Sequence, residues 1–159
     1  ALNTAQMIVN DEGRLLTVLP VIAIAHGLAG DKNTARKILI DVLEKARKSD
    51  NEPGKEALLR EVAKGQAQIG DFETALETAR ENGRDFTLPQ VLGVIGLVQV
   101  QDGKIEAARA TFAVALEKAL QIGKSYDRSW ALQIIAEAQA QTYTQEFLHL
   151  ALNTVSHID

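Results

Sequence analysis

A leucine, a branched aliphatic residue, a small residue and a polar residue recur in fixed order along this chain, each time ahead of a turn. Counting back from Gly30, Gly70 and Gly103, the residues Leu19, Leu59 and Leu92 stand eleven positions upstream. Ile22, Val62 and Ile95 stand eight upstream, and the small residues Ala23, Ala63 and Gly96 stand seven upstream. His26, Gln66 and Gln99 stand four upstream. Steps of three and four put these slots on one face of an α-helix. The small slot lets a second helix approach closely, and the aliphatic slots fill the seam. The series returns as Leu132, Ile135, Ala136 and Gln139, which predicts a fourth turn at Tyr143. The turn origins are then 30, 70, 103 and 143, spaced by 40, 33 and 40 residues.

A second periodic segment follows each turn. Ala35, Ala75 and Ala108 lie five residues past their glycines, and Leu39, Phe112 and Leu152 lie nine past their origins. The expected unit is a helical hairpin in which neither helix can bury its apolar face alone, so hairpins stack. Val42-Leu43-Glu44-Lys45-Ala46 recurs as Ala115-Leu116-Glu117-Lys118-Ala119, an offset of 73 residues, so pairs of hairpins alternate. Polar loops are expected at Asp50–Gly54 and Gly123–Ser125. Ala1-Leu2-Asn3-Thr4-Ala5 resembles the second-helix segments Ala75–Ala79 and Ala151–Val155, as though the chain were cut from a longer array. The predicted layout is one domain over 1–159, with a half-unit at 1–13 and hairpins at 16–50, 56–83, 87–122 and 127–158. Thr87 is the expected N-cap ahead of Pro89 and Gln90, and Asp31 and Asp71 are expected to cap second helices. Asp41 with Lys45, and Glu44 with Lys48, stand four apart in the order that favours an ion pair.

Composition narrows the class to all-α. Strong helix formers are abundant, aromatics make up 4% of the chain, and three prolines leave room for long helices. A net charge of −4 with no dense Lys/Arg cluster argues against a nucleic-acid partner. With no cysteine there is neither a disulfide nor a thiolate metal site. Leu15 to Gly30 is almost wholly apolar, but its 16 residues include Pro20 and His26 and are short for a bilayer. A buried helix in a soluble chain is the expectation, with no membrane span. The compartment, cytoplasmic or periplasmic, stays open.

The slot pattern resembles the tetratricopeptide repeat (TPR). The matching positions are Leu59, Val62, Ala63, Ala75 and Ala79 in the second hairpin, and Leu92, Ile95, Gly96, Ala108, Phe112 and Ala115 in the third. The opening slot holds Leu where that family has Trp, His26 or Gln fills its tyrosine slot, and no proline closes the units. Sel1-like, HEAT-like and unclassified helical repeats are the alternatives. The resemblance implies a right-handed α-solenoid of about four antiparallel helix pairs with half-units at the ends. It also implies that the first helices line a concave surface for a protein partner, an extended or helical peptide segment. The slots ten, six and two residues before each turn are then partner-facing: Pro20, Ile24, Leu28; Arg60, Lys64, Gln68; Gly93, Leu97, Gln101; Gln133, Glu137, Gln141. Arg60 and Lys64 read first as a plain solvated face, with reception of an acidic side chain or a C-terminal carboxylate as the alternative. The family's carboxylate clamp of Lys and Asn is not found.

Catalytic chemistry finds no foothold in the pattern. His149 and His157 stand eight apart without further ligands, and His26 shares a slot with three glutamines, which reads as a polar inter-helix contact. Gly123-Lys124-Ser125 lacks the upstream glycine of a phosphate loop and follows a helix. Glu61 and Glu137 have no partner carboxylate or nucleophile that the pattern brings beside them. The expected function is a non-enzymatic scaffold or adaptor, without a cofactor, that helps assemble a multiprotein complex. Two rivals are a self-assembly element forming homo-oligomers through its repeat ends, and a helical ligand-binding or enzymatic domain with its chemistry elsewhere in the parent chain.

Overall fold

The computed structural model describes residues 12–141 and 151–158, and all regular structure among them is helical. Seven helices are α1 (Glu12–Leu28), α2 (Lys32–Arg47), α3 (Glu52–Gln68), α4 (Phe72–Glu81), α5 (Thr87–Gln101), α6 (Ile105–Leu120) and α7 (Ser125–Ala140). A further helical stretch covers 151–155. The predicted half-unit at 1–13 falls almost wholly outside the described residues, as do Tyr143 and His149.

The three glycine turns share one construction. Gly30, Gly70 and Gly103 adopt φ of 91°, 88° and 75°, where a Cβ would be strained. Each glycine donates its N–H to the carbonyl three residues back. The next residue donates to the carbonyl five back: Asp31 to His26 at 2.9 Å, Asp71 to Gln66 at 2.9 Å, Lys104 to Gln99 at 2.8 Å. This paired-bond helix ending satisfies orphan carbonyls and reverses the chain tightly. The polar slot of the repeat is thus also the residue whose carbonyl closes the turn.

The chain divides into two compact units, residues 1–82 and 83–159. In the first, α1 packs on α2, α2 on α3, α3 on α4, and α1 also touches α3. In the second, the same order repeats: α5 on α6, α6 on α7, and α5 on α7. Each unit has its own core. Leu19, Ala23, Leu39, Leu59 and Val62 build the first, and Ala108, Phe112, Leu132 and Ile135 build the second. The small slots are buried as the pattern required, Ala23 and Ala63 completely. Gly96 is the tightest of them, lying against the ring of Phe112.

Two caps differ from expectation. Asp31 caps α2 by accepting the N–H of Thr34 at 3.1 Å, which holds its carboxyl below the usual range. Asp71 stands at the N-cap of α4 but makes no side-chain cap bond. Both its carboxylate oxygens are taken by Arg36 of α2, at 2.7 and 2.6 Å. Thr87 is the first residue of α5, and the N-cap is Phe86, which has no side-chain cap bond. Asp41 and Lys45 do pair, at 3.2 Å.

The fourth hairpin is out of the predicted register. Leu152 is 68% exposed, whereas Ala151 and Thr154 are buried. Thr154 donates its hydroxyl to Gln139 Oε1 at 2.9 Å, as Thr111 does to Gln99 Oε1 at 2.8 Å. Thr154 stands fifteen residues after Gln139, but Thr111 only twelve after Gln99. The spacing between the paired residues is therefore three longer, Ala151 takes the slot of Ala108, and Leu152 falls on an outer face.

Candidate partner-binding surface

The first helices of each hairpin carry the residues singled out in the sequence, and each unit arranges its own set. In the first unit α1 and α3 lie side by side. Pro20 is buried and Ile24 half-buried, facing Gly65 of α3, while Leu28 stands 77% exposed. Arg60, Lys64 and Gln68 are half-buried along α3. Arg60 Nε and Lys64 Nζ both reach Glu61, each at 3.2 Å, so the cations share one carboxylate on their own helix. The stripe is thus two positive groups around one negative.

In the second unit Leu97 packs partly against the core, and Gly93 sits close to Ile135 and Ala138 of α7. Gly93 thus contributes to the α5–α7 seam. Gln101, Gln133, Glu137 and Gln141 are exposed. Gln133 Nε2 donates to Glu137 Oε1 at 2.9 Å, one turn along the same helix. This stripe is polar with one negative charge. Such groups offer donors and acceptors to an incoming segment without giving up a contact between helices.

The polar slot proves to be an inter-helix link in the second unit, where Gln99 and Gln139 each accept from a threonine of the following helix. His26 instead lies 3.6 Å from Asp31, within its own turn. Gln66 does neither. It is 93% buried by its 7% exposure, and its Oε1 has no hydrogen-bond partner.

Two forked ion pairs were not legible in the sequence. Arg36 clasps Asp71, and Arg47 clasps Glu81 with bonds of 2.9 and 2.6 Å. They tie both ends of α2 to both ends of α4. The Arg47 hydrogen bonds hold the Glu81 carboxyl below its ordinary value, and the carboxylates raise both guanidinium groups. Between α2 and α4, beside the Arg36–Asp71 pair, opens a pocket of about 550 Å³ walled by Leu39, Ile40 and Phe72, with Gln66 in its lining.

Among the described residues, no three His, Asp or Glu side chains gather as a metal site would need. His157 is exposed, its Nδ1 2.7 Å from the carbonyl of Asn153. No helix of the described residues is long and apolar enough to cross a membrane. Comparison with protein-family models, with curated proteins and with solved structures finds no match for this chain.

Proposed function

We propose that this chain is a TPR-like right-handed solenoid segment that acts as a non-catalytic scaffold, holding a partner protein along its first helices. Support comes from the repeated order of helix contacts in the two units, with Lys64 half-buried on α3 and Gln133 and Glu137 exposed on α7, each on the stripe expected to face a partner. On that stripe Lys64 is held by Glu61, and Gln133 by Glu137, each pair within one helix. A segment laid across α1 and α3 would meet a stripe with two cations around one carboxylate, and one laid across α5 and α7 an acidic-polar stripe, each within its own unit.

The test is capture of partners by the whole chain beside a Lys64→Glu, Glu137→Lys variant of matched melting temperature. Both positions are at or near the surface, so stability should stay within about 0.5 kcal/mol. A partner held by the parent and lost by the variant supports the reading. Equal retention by both proteins refutes the stripe assignment.

Self-assembly is a second reading, favoured by apolar surface on α1 and on 151–158. Val21 is 64% exposed on α1. A groove of about 330 Å³ between α7 and 151–158 is lined by Ala136, Ala140, Leu152, Val155 and Ile158. Such contiguous apolar surface marks interaction sites. Sedimentation across a concentration series, with Leu152→Glu beside the parent, separates the readings. Mass growth abolished by the variant supports self-assembly, and a concentration-independent monomer excludes it.

A further inference from the structure

Gln66 is the one glutamine of the repeat slot whose side-chain oxygen is left without a bond. Thr78 stands twelve residues further on, where Thr111 stands relative to Gln99, yet Gln66 Oε1 is unpartnered. A buried acceptor in that state has lost its water and gained nothing in return. The same carboxamide lines the pocket between α2 and α4, whose size suits a small ligand group. The terminal torsion of a glutamine is soft, so its carboxamide can reorient when a ligand arrives.

The first turn of α4 supplies donors. Phe72, Glu73 and Thr74 form the first turn of α4 and line the pocket. First-turn N–H groups lack intrahelical partners. Asp71 does not cap them, and Arg36 engages both its oxygens. The lining thus holds a residue with an unpaired acceptor and a first turn without a side-chain cap, with Leu39, Ile40 and Phe72 as apolar walls. Two cations, Arg36 in the lining and Lys32 beside Gly70, stand with two carboxylates, Asp71 and Glu73. That even balance suits a neutral group.

We infer that the α2–α4 pocket binds a neutral peptide group of a partner protein, with Gln66 Oε1 accepting the peptide N–H, the first turn of α4 donating to its carbonyl, and an adjacent apolar side chain against Phe72 and Ile40. This site is independent of the first-helix stripe. Successive helical residues turn by about 100°, so Gln66 lies about 200° round α3 from Lys64. A result at one surface leaves the other untouched.

The probe is N-acetyl-leucine N′-methylamide, titrated into the whole isotope-labelled chain and followed by amide chemical shifts. Inorganic phosphate is titrated in parallel. Saturable shifts at Gly70, Phe72, Glu73 and the Gln66 side-chain amide are expected with the blocked leucine. Gln66→Leu should weaken that binding by about three- to tenfold, the share of one neutral hydrogen bond. The same variant should melt no lower than the parent, since it removes an unsatisfied group. Ile40→Glu, at a position 53% exposed, should abolish binding while the fold persists. Absence of saturable shifts overturns the inference, as does unchanged binding in Gln66→Leu or Ile40→Glu. Stronger shifts from phosphate at the same residues would make it an anion site. A lower melting temperature for Gln66→Leu would show that Gln66 is paired within the fold and overturn the inference too.

Discussion

Gly96→Ala isolates how closely α5 and α6 meet. A methyl placed on Gly96 would lie 2.8 Å from Cε1 and Cζ of Phe112 and 3.0 Å from Cδ1. Carbon atoms in contact prefer about 3.5–4.0 Å. Phe112 is 1% exposed and embedded in the second core, so its ring has nowhere empty to go. Two terms compete. Replacing glycine by alanine inside a helix gains about 0.8–1.0 kcal/mol. Overpacking a filled core costs about 1–3 kcal/mol. The net expectation is a loss of roughly 1 kcal/mol, small enough that a single variant would be ambiguous. A double-mutant cycle removes the ambiguity. Phe112→Val costs a few kcal/mol alone, on the order of other large-to-small changes, but takes the whole ring away. In that background Gly96→Ala keeps only its helix gain and should stabilise by about 1 kcal/mol. The coupling, read from urea unfolding curves with a shared slope, should reach about 1–3 kcal/mol. Zero coupling, or stabilisation by Gly96→Ala with Phe112 present, would refute the close approach.

Two further outcomes follow from named contacts. Ala63→Leu should cost about 1–3 kcal/mol, because Ala63 is completely buried. Ala136→Leu should cost clearly less, since Ala136 lines the groove beside 151–158 and its new atoms have room; thermal unfolding of the pair checks both. The Arg47–Glu81 clasp gives a pH signature. Glu81 has its folded pKa below the ordinary 4.5, so the pair contributes stability that is full above that value and is lost as pH falls through the folded pKa. Arg47→Ala should remove about 0.2–1 kcal/mol at neutral pH, the range for an exposed pair. The difference between parent and variant should shrink as pH drops below 4.5; a constant difference from pH 7 to pH 3 would contradict the linkage.

What the sequence revealed was local. Slots three and four apart report one helix face directly, and a glycine at the end of such a run marks a left-handed turn residue. Leu59, Val62, Ala63 and Ala75 all reach the core for that reason. The misses are non-local or unmarked. Arg36 meets Asp71, and Arg47 meets Glu81, across 35 and 34 residues, through a lateral arrangement of α2 and α4 that no periodicity encodes. Asp71 has the sequence look of a cap, but an arginine on another helix outcompetes the local N–H groups for its oxygens. No glycine stands between Gln139 and Ala151 to mark a turn, so the slot count puts Leu152 in the seam where Ala151 lies. Of the candidate surface, Leu28, Gln133 and Glu137 are exposed, whereas Ile24 and Leu97 lie partly in helix seams. The 3.6-residue period assigns a face and does not say how deeply a neighbouring helix covers it.

The polar slot shows how one position serves different ends as its surroundings change. In the second unit a threonine one helix away satisfies the glutamine, and the pair ties first helix to second, as with Gln99 and Thr111. In the first hairpin Ile38 occupies the threonine position, and His26 turns to Asp31 at the turn. In the second hairpin the threonine is present but the bond is not, and the oxygen of Gln66 stays unsatisfied. α4 is tied instead to α2, by the two forked ion pairs. Their positions at the two ends of α4 hold it to α2, with the pocket opening beside the Arg36–Asp71 end. The same Arg36 that anchors α4 engages both oxygens of Asp71, and the first turn of α4, without a side-chain cap, belongs to the pocket lining. Anchorage and an uncapped first turn therefore meet at one contact. Arg36→Ala should free Asp71 to cap α4 and, by filling the N–H groups, weaken blocked-leucine binding without removing Gln66. If binding instead survives with Asp71 released, the first turn of α4 is not the donor wall, and Gln66 with the apolar walls would have to hold the ligand alone.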